Sequence, residues 1–511
     1  MKQTQYKTCH TKEEALERLV GLSKSGKKIA LTFGHFNTIH PGHLRFLHHA
    51  QELAEELVIA IAGKNQLTKS QQEHFFSADE RALGIAQLAG VGLVVLQDHL
   101  SLTEIIEALK PQIFILGKEF EEERNQEIDR FIETVERQGG KVIFTVGDVH
   151  GSSYSIFQEP SEVAERKNEK LMRTCRKHQI ELEPLNRLID KFKDQKILVL
   201  GDTIVDQYIA CDALGMSAEA PVLAIKEVET KEFIGGAAIV ACHLATLGAK
   251  AHYFSVLGAD EPAKMVQATM KEYNIPSVLL EDPNRPTTFK IRYMVDNQKL
   301  LRVSRLHEEA IPKKLESKLI EELERLAPEL DGIIVSDFVY GVITDRILET
   351  LTSLAAKHKL KLFGDLQCSS QVGNVAKFKN YHLISPTERE ARIALSDQRS
   401  GLEKLSRNLL KSTNSENLLI TLGASGFIAF KNDSEPGMIA SQHFPALTTN
   451  PVDVAGAGDT LLASMAIALC AGGNLMEAAL LGTCAAAIAV SRVGNIPISN
   501  QELRGYLATL Y

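Results

Sequence analysis

Short apolar runs alternate with helix-like segments twice along the chain, and this alternation constrains the fold more than any other feature. In the first part, the runs KIALTF (28–33), LVIAIAG (57–63) and VGLVVL (91–96) are separated by segments with helical spacing. A second alternation opens with KILVLGD (196–202) and continues to the C-terminus. Strands that alternate with helices form βαβ units around a parallel sheet. The sequence therefore predicts two α/β domains.

A densely charged segment separates the two alternations. Residues 159–193, which begin EPSEVAERKNEKLMRTCRKHQ, predict a helical linker between domains. We expect an N-terminal domain at 1–158 and a C-terminal domain at 194–511. Within the second domain, ALGMSAEAPVLAIKEVETKEF (213–233) has the short strands and turns of a small β lid on the main sheet.

Composition and charge exclude several kinds of partner. The chain has 57 Lys and Arg against 65 Asp and Glu, and this net charge of −8 argues against a broad nucleic-acid or membrane surface. The two most apolar stretches, 460–476 and 478–491, are each too short to span a bilayer and predict two buried helices. Seven scattered cysteines without a CxxC pair favour a reducing cytosol. We therefore expect a cytoplasmic protein whose partners are small molecules.

Three histidines in the segment GHFNTIHPGH (34–43) point to phosphate chemistry. The segment follows a predicted strand and opens a helix, where backbone N–H groups and the helix dipole favour anions. Gly34 and Gly42 let the backbone approach a ligand closely, and the imidazoles of His40 and His43 would face the phosphates. This arrangement suits displacement at phosphorus without a covalent intermediate.

The same histidines have two other interpretations. A zinc site at His35, His40 and His43 is the main alternative, but it would leave the glycines without a role, and no clear carboxylate lies nearby to orient the imidazoles. Histidines that are merely packed or solvated are the second, which three of them in one glycine-framed turn disfavour. His48 and His49 are expected to be of that second kind.

GHFNTIHPGH resembles the G-x-F-D-x-x-H-x-G-H signature of the cytidylyltransferase-like nucleotidyltransferases, and the likeness extends over about residues 28–157. The segments ADERALGIAQL, LKPQIFILGKEF and GSSYSI are similar to later parts of that family, although Asn37 replaces an aspartate and Tyr154 interrupts a Ser/Thr turn. The resemblance implies a Rossmann-like fold with His40 and His43 as catalytic residues. The nucleotide site that it implies contains Phe33, Gly34, His40, Gly42, His43, Arg81, Gly117, Lys118, Ser152 and Ser153.

VDVAGAGDT (452–460) leads directly into an apolar helix. The small residues Gly456, Ala457 and Gly458 let successive N–H groups face an anion at the helix N-terminus. Asp459, beside that anion hole, is placed to take a proton from an attacking hydroxyl. A glycine turn in which Asp459 only caps the helix is the alternative, and the motif alone does not separate the two.

The C-terminal part, about 194–505, resembles the ribokinase-type carbohydrate kinases. GDTIVDQY, FIGGAAIVACHLATLGAKAHYFSVLGAD, VSDFVYG, SPTERE and LLITLGASGFIAF follow in that family's order. The resemblance implies that Asp459 is a catalytic base and that ATP is used with Mg²⁺; whether a monovalent cation assists stays open. The implied residues are Thr421, Gly423 and Gly426 beside ATP, Gly456, Ala457 and Gly458 as the anion hole, Asp206, Gly235, Gly236 and Asp459 beside the sugar, and Glu390 near Mg²⁺ without direct ligation.

SAEAPVLAIKEV (217–228) is similar to the lid strand of heptose 7-phosphate kinases of the ADP-heptose pathway, which are often fused to an HxGH adenylyltransferase. The resemblance implies a bifunctional enzyme of nucleotide-sugar biosynthesis for lipopolysaccharide. One half would phosphorylate D-glycero-D-manno-heptose 7-phosphate at O1 with ATP. The other would join AMP from ATP to a sugar 1-phosphate and release pyrophosphate. A homodimer through the lid is expected, and the domain order is the reverse of the usual fusion.

Five polar positions of the kinase pattern are changed, at Ile239, Tyr340, Gln367, Thr387 and Ala455. Losing one polar contact to a sugar costs about 1–3 kcal/mol in discrimination. Two alternatives therefore stay open. The same activities could act on another sugar or use CTP, or the kinase fold could be a silent scaffold beside an active nucleotidyltransferase. The intact GAGD segment favours an active kinase.

Overall fold

The computed structural model describes residues 7–9, 11–39, 41–117, 120, 126–145, 160–295, 298–368, 372–432 and 440–511. The chain divides into two compact units, one formed by Met1–Gln158 with Asp397–Leu405 and the other by Glu159–Ser396 with Ser406–Tyr511. Each unit contains a parallel or mainly parallel sheet, as the repeated alternation of strands and helices predicts. The domain limits expected at 158 and 194 stay a prediction.

Within the described residues, a five-stranded parallel sheet forms the centre of the first unit. Its strands are β1 (Ile29–Gly34), β2 (Glu56–Ile61), β3 (Leu93–Leu96), β4 (Ile113–Gly117) and β5 (Lys141–Thr145). The helices are α1 (Lys12–Ser23), α2 (Pro41–Leu53), α3 (Lys69–His74), α4 (Ala78–Ala86), α5 (Leu102–Leu109) and α6 (Gln126–Arg137). Alternate strand residues join two different apolar clusters, so both faces of the sheet are covered. This explains why the strand sequences are almost continuously apolar.

The strands of this sheet lie in the order β3-β2-β1-β4-β5. The order reverses between β1 and β4, which are hydrogen-bonded neighbours. In open α/β sheets a ligand crevice lies at the carboxyl ends of the strands where the order reverses. Gly34 ends β1 and Gly117 ends β4, so the two predicted site glycines lie at that crevice.

The second unit contains the remaining strands. They are β6 (Lys196–Gly201), β7 (Thr203–Met216), β8 (Leu223–Gly236), β9 (Lys250–Leu257), β10 (Ser277–Glu281), β11 (Thr288–Val295), β12 (Gln298–Arg305), β13 (Gly332–Asp337), β14 (Lys361–Leu366), β15 (Leu383–Ile384), β16 (Asn417–Thr421), β17 (Phe427–Lys431) and β18 (Ala440–Phe444). In the described part of the chain, nine of them form one sheet in the order β10-β9-β6-β13-β14-β15-β16-β17-β18. The strands from β10 to β16 in this order are parallel, and β17 and β18 extend the sheet by antiparallel pairing.

The later helices of the chain follow. They are α7 (Pro160–Lys177), α8 (Leu182–Asp190), α9 (Ala237–Leu247), α10 (Glu261–Glu272), α11 (Lys313–Leu326), α12 (Asp345–His358), α13 (Glu388–Leu395), α14 (Leu402–Thr413), α15 (Ala457–Cys470), α16 (Leu475–Ala489) and α17 (Asn500–Ala508). The two most apolar sequence stretches form α15 and α16, which are buried along most of their length, as predicted. Among the described residues, no helix is both long and apolar enough to cross a membrane.

The segment predicted as a linker folds into α7 and α8. Its apolar residues Leu171, Leu185 and Phe192 are completely buried in the core of the second unit. These apolar residues recur at helical spacing and pack the segment against the core. They are easily overlooked in the sequence because charged residues outnumber them.

The lid is larger than the sequence predicts. It contains β7, β8, β11 and β12 in the order β12-β11-β7-β8, whereas the expected segment, 213–233, contains only parts of β7 and β8. Strand β11 pairs in parallel with β7, although some seventy residues of chain lie between them. Pairing between such distant strands leaves no local pattern in the sequence.

Candidate functional site

The first candidate site lies where β1 ends and α2 begins. Gly34 is followed by Phe36, which has a positive φ of 47° and a ring 3.0 Å from the position that a Cβ on Gly34 would occupy. His43 lies in the first turns of α2, with its ring centroid 5.2 Å from that of Phe36. The turn is therefore tight, and a helix N-terminus follows it, which is the geometry that binds phosphate groups.

Arg81 is buried beneath this turn, with 3% of its surface exposed. Its Nε donates to the carbonyl of Phe76 at 3.0 Å, and its two terminal nitrogens donate to the carbonyls of His35 at 2.6 Å and Ala62 at 2.7 Å. The guanidinium thus ties the turn after β1 to the end of β2 and the start of α4. These contacts give Arg81 a supporting role in the structure, and its expected contact with a nucleotide stays a prediction.

The other residues predicted for the first site are placed only in part. Phe33 packs in a group of aromatic rings, with its centroid 5.0 Å from that of Phe120. Gly42 is buried at the start of α2, and Gly117 ends β4. His40, Lys118, Ser152 and Ser153 lie outside the described residues, so the structure says nothing of their positions.

Asn37, which replaces the aspartate of the family signature, has a structural partner. Its Oδ1 accepts a hydrogen bond from the backbone N–H of Phe76 at 2.8 Å. Phe76 lies just before Ser77, the residue that caps α4. Asn37 and Arg81 therefore both bind the backbone of Phe76, just before α4.

The second candidate site is centred on Asp459, in the first turn of α15. Its carboxylate is 5% exposed, and Gln367 donates an amide hydrogen bond to Asp459 Oδ1 at 3.2 Å. Burial and the nearby Asp206 raise the pKa of Asp459 to about 7, against the opposing effect of Lys290 and Gln367. A carboxyl whose pKa lies near the working pH is suited to take up a proton in catalysis.

The predicted anion hole precedes Asp459. Gly456 has a φ of +75°, and a Cβ there would lie 2.3 Å from Oδ1 of Asn495. Only glycine fits this left-handed, crowded position. Ala457 and Gly458 begin α15, whose first N–H groups have no acceptor within the helix. The N–H of Ala457 donates to the carbonyl of Val454 at 3.4 Å. This geometry matches an anion site at a helix N-terminus.

Asp206, predicted to hold the sugar, lies beside the same site. Its two carboxylate oxygens accept hydrogen bonds from the guanidinium of Arg292 and, at 3.3 Å, from the amide of Asn495. A Cβ on Gly235 would lie 2.9 Å from Asp206 Oδ2, which explains the first glycine of the Gly-Gly pair. Gly236, with a φ of +59°, turns the chain into α9.

The residues predicted beside ATP form a turn between β16 and β17. Thr421 ends β16 and pairs with Phe427 across the antiparallel junction. Gly423 and Gly426 have φ values of +59° and +88°, and a Cβ on Gly426 would lie 2.0 Å from the carbonyl oxygen of Phe444. The two glycines therefore keep this turn narrow.

Glu390 is held by backbone groups. Its two carboxylate oxygens accept hydrogen bonds from the N–H groups of Cys368 at 2.9 Å and Thr387 at 2.8 Å. In the described part of the chain, no three His, Cys, Asp or Glu residues are grouped closely enough to hold a metal. The indirect role of Glu390 near Mg²⁺ stays a prediction.

A tight loop follows β13 and wraps around Asp202. The N–H groups of Phe338 at 2.9 Å, Tyr340 at 3.1 Å and Val342 at 3.1 Å all donate to the Asp202 carboxylate. Between them, Val339 has a positive φ of 62°, a strained backbone conformation for a β-branched residue. Burial and nearby Asp337 raise the pKa of Asp202.

Lys290 and Arg292 on β11 are site residues that sequence reasoning missed. Lys290 is 4% exposed, and its ammonium lies 5.3 Å from the ring centroid of Tyr340 and 5.5 Å from that of Phe338. The register of β11 on β7 places Lys290 opposite Asp206. The alternation of Lys290 and Arg292 in TFKIR was the available signal, but nothing in the sequence places that strand beside β7.

All seven cysteines lie in the described part of the chain and are free thiols. The absence of disulfides there agrees with their scattered spacing. None of them is in the predicted catalytic groups, although the backbone N–H of Cys368 binds Glu390.

Two known families match the chain. The pfkB family carbohydrate kinase profile matches residues 194–502, more than half of the chain. The chain belongs to the pfkB family of carbohydrate kinases. The Cytidylyltransferase-like profile matches residues 31–206, so in this pfkB-family protein the nucleotidyltransferase-like part comes first. Both resemblances drawn from the motifs, and the order of the two parts, are confirmed.

Curated relatives of this pfkB-family protein include several named "Bifunctional protein HldE". The one from Desulfatibacillum aliphaticivorans is 30% identical over 324 residues, which cover 62% of this chain and 64% of the relative. The one from Helicobacter pylori is 32% identical over 313 residues, which cover 60% of this chain and 65% of the relative. This chain therefore spans less than two thirds of the length of these relatives.

Solved structures share the fold. Phosphofructokinase-2 from Escherichia coli, in complex with substrates and products, is 15% identical with a TM-score of 0.52, covering 62% of this chain and 99% of that chain. Ribokinase from Giardia lamblia is 17% identical with a TM-score of 0.50, covering 61% of this chain and 99% of that chain. At these identities the likeness shows the fold alone. The predicted class, an α/β chain with a Rossmann-like N-terminal and a ribokinase-like C-terminal domain, is confirmed.

Proposed function

We propose that the protein is a bifunctional transferase of nucleotide-sugar biosynthesis, with a sugar kinase in the second unit and a nucleotidyltransferase in the first. The acceptor of the kinase is D-glycero-D-manno-heptose 7-phosphate, and the nucleotidyltransferase uses ATP to make an ADP-sugar. Two findings support it, the resemblance of the sequence to heptose kinases and the curated relatives that are named bifunctional proteins.

One observation carries the kinase half of the proposal. Asp459 is buried at the N-terminus of α15, directly after the left-handed turn at Gly456. In the reaction, Asp459 takes the proton of the acceptor hydroxyl, whose oxygen attacks the γ-phosphorus of ATP. The bond between that phosphorus and the bridging oxygen breaks, and ADP leaves. The first N–H groups of α15 stabilise the negative charge on the transferred group.

The nucleotidyltransferase half depends on the turn between β1 and α2. A phosphate oxygen of the sugar 1-phosphate attacks the α-phosphorus of ATP, and the bond to the β-phosphate oxygen breaks to release pyrophosphate. His43, together with His40, is proposed to donate hydrogen bonds to the phosphates. Arg81 and Asn37 keep the turn in place through their contacts with backbone groups. We propose ATP rather than CTP as the nucleotide on the basis of the resemblance to the ADP-heptose enzymes.

Mg²⁺ belongs to both proposed reactions, because it neutralises charge on the phosphates of ATP. In the second unit, Glu390 would act near the ion through water, and backbone N–H groups of Cys368 and Thr387 fix the orientation of its carboxylate. The proposal leaves open whether a monovalent cation assists, and a cytoplasmic location stays a prediction from the sequence.

We also propose that the protein forms a homodimer through the lid. Eight large apolar residues in or beside the lid strands are exposed. They are Leu214, Met216, Val222, Leu223, Val228, Leu300, Leu301 and Val303. Exposed apolar side chains gathered on one small sheet favour association, and a second copy presents the same set. Sedimentation of the wild type as a dimer, and of Leu301→Glu as a monomer, is expected; a monomeric wild type contradicts the dimer.

The kinase proposal is tested by mixing the protein with Mg-ATP and candidate sugar phosphates and measuring ADP. Formation of ADP with heptose 7-phosphate, at a higher kcat/KM than with fructose 6-phosphate or ribose, supports the proposal. ADP formation with a different sugar alone would mean that the kinase is active and that the proposed acceptor is wrong. No ADP with any acceptor contradicts an active kinase and favours a silent kinase fold.

A further inference from the structure

Gln367 joins two buried carboxylates at the kinase site. It follows the end of β14, and its Nε2 donates to Asp365 Oδ2 at 2.9 Å and to Asp459 Oδ1 at 3.2 Å. Asp365 and Asp459 are 6% and 5% exposed. A side-chain amide nitrogen carries two hydrogens, so the two bonds use both of them.

The backbone of Gln367 is fixed as well. Its N–H donates to the carbonyl of Asp337 at 2.9 Å, at the end of β13. The amide therefore projects from a strand end that is hydrogen-bonded to the neighbouring strand. A donor group fixed in this way can fix its acceptor, and Asp459 is the acceptor that matters for the chemistry.

The bridge lies among several charged and titratable side chains. Burial and Asp206 raise and Lys290 lowers the pKa of Asp459, burial and Asp459 raise the pKa of Asp365 well above its usual value, and Gln367 carries no charge. A donor shared by two buried carboxyl groups satisfies both and fixes their orientation. Asp365 lies within β14 and Asp459 in the first turn of α15, so the bridge joins a strand to the helix that carries the proposed base.

We infer that Gln367 is a positioning residue that holds the Asp459 carboxylate in the orientation needed to remove the proton of the acceptor. This inference deepens the proposed kinase activity and rests on it. It also gives a role to one of the five changed positions, because the sequence has glutamine where the family pattern has lysine. The replacement keeps N–H donors at this place and removes a positive charge.

The test uses two substitutions at the same position. Gln367→Met has similar length and no N–H donor, so kcat for ADP formation should fall about tenfold while KM for ATP and for the acceptor changes less than threefold. A tenfold fall corresponds to roughly 1.4 kcal/mol. Gln367→Lys restores donors and should recover most of kcat. Gln267→Met, an exposed glutamine of α10, is the matched control and should leave kcat unchanged.

Three results would overturn the inference. One is a Gln367→Met enzyme with unchanged kcat. Another is a parallel change of kcat and KM, which would indicate a general disturbance of the site. The third is a Gln367→Lys enzyme as slow as Gln367→Met. Pyrophosphate release by the first unit serves as an internal control and should be the same in all variants.

A double-mutant cycle keeps the inference testable even if the wild type has no kinase activity. The thermal midpoints of Gln367→Met, Asp459→Ala and the double variant are compared with that of the wild type. A hydrogen bond between the two side chains predicts non-additive shifts. Additive shifts would overturn the inference, whereas a wild type without ADP formation contradicts only the proposed function.

Discussion

Nε2 of His243 lies 2.9 Å from Oγ1 of Thr460, and this hydrogen bond joins α9 to the helix that carries Asp459. The N–H of Ile498 donates to Nδ1 of His243 at 3.3 Å, so the hydrogen of a neutral imidazole lies on Nε2 and points to Thr460. Burial lowers the pKa of His243 to about 3, which keeps the ring neutral. The Thr460 hydroxyl in turn donates to the carbonyl of Gly456 at 2.9 Å.

This chain of hydrogen bonds predicts that His243→Leu destabilises the second unit. The substitution leaves the N–H of Ile498 buried without its acceptor and removes the donor to Thr460, and an unsatisfied buried group costs about 1–3 kcal/mol. His243→Gln retains an acceptor and a donor and should lose less. Denaturant unfolding measures both values, and equal stability of His243→Leu and the wild type would contradict the assignment.

Asp459→Asn should abolish ADP formation and spare pyrophosphate release. An asparagine cannot accept the proton of the acceptor hydroxyl, so a loss of about 10²–10⁴-fold is expected. Steady-state assays of ADP and of pyrophosphate on the same preparation measure the two activities separately. Retention of full kinase activity by Asp459→Asn would mean that another group is the base.

The pH dependence of the kinase follows from the same carboxyl group. Its pKa of about 7 means that the ionised, proton-accepting form declines below pH 7. We therefore expect kcat/KM to fall about tenfold per pH unit on the acid side and to level off above pH 7. Lys290→Met removes the nearby cation that favours ionisation, so the midpoint should move to higher pH. A profile without an acid limb would be inconsistent with Asp459 as base.

His43→Ala should reduce pyrophosphate release by about 10²-fold, the loss typical of one donor to a developing negative charge. The same result is expected for His40→Ala. His48→Ala is the control, because His48 lies on the same helix and faces Glu52 at 3.5 Å. ADP formation by the second unit should be unaffected in all three. Unchanged pyrophosphate release by both His40→Ala and His43→Ala would contradict the assignment of the first site.

Gly456→Ala and Gly458→Ala test whether the anion-hole segment requires glycine at one position and tolerates alanine at the other. Gly456 has a positive φ and Asn495 beside it, so alanine there should cost about 1–2 kcal/mol or more in stability. A Cβ on Gly458 meets nothing within 4 Å, and that variant should remain as stable as the wild type. Thermal unfolding compares the two, and equal midpoints would contradict the left-handed turn at Gly456.

Local patterns predict much of this fold. The strand expected at 28–33 is found at Ile29–Gly34, and the helix expected at 102–109 is found there, because each depends on its own apolar spacing. The Gly-Gly segment lies beside Asp206, and the GAGD turn leads into the helix that carries Asp459. Such motifs can be predicted because the backbone geometry that they require is local.

Contacts between distant segments could not be predicted in this way. Lys290 reaches the kinase site only through the pairing of β11 with β7, and Asn495 only through the loop after α16. Arg81 has a recognisable place in a motif, yet its three carbonyl partners come from segments that meet only in the folded unit. The contacts of Gln367 could not be predicted either, because its two partners, Asp365 and Asp459, are adjacent only in the folded unit.

The most direct test of the central claim is phosphorus NMR of the purified protein with Mg-ATP and D-glycero-D-manno-heptose 7-phosphate. The account predicts ADP together with a new anomeric phosphate on the sugar, and then pyrophosphate when a heptose 1-phosphate is supplied with ATP. A spectrum in which ATP and the sugar phosphate remain unchanged would contradict the kinase assignment for this sugar.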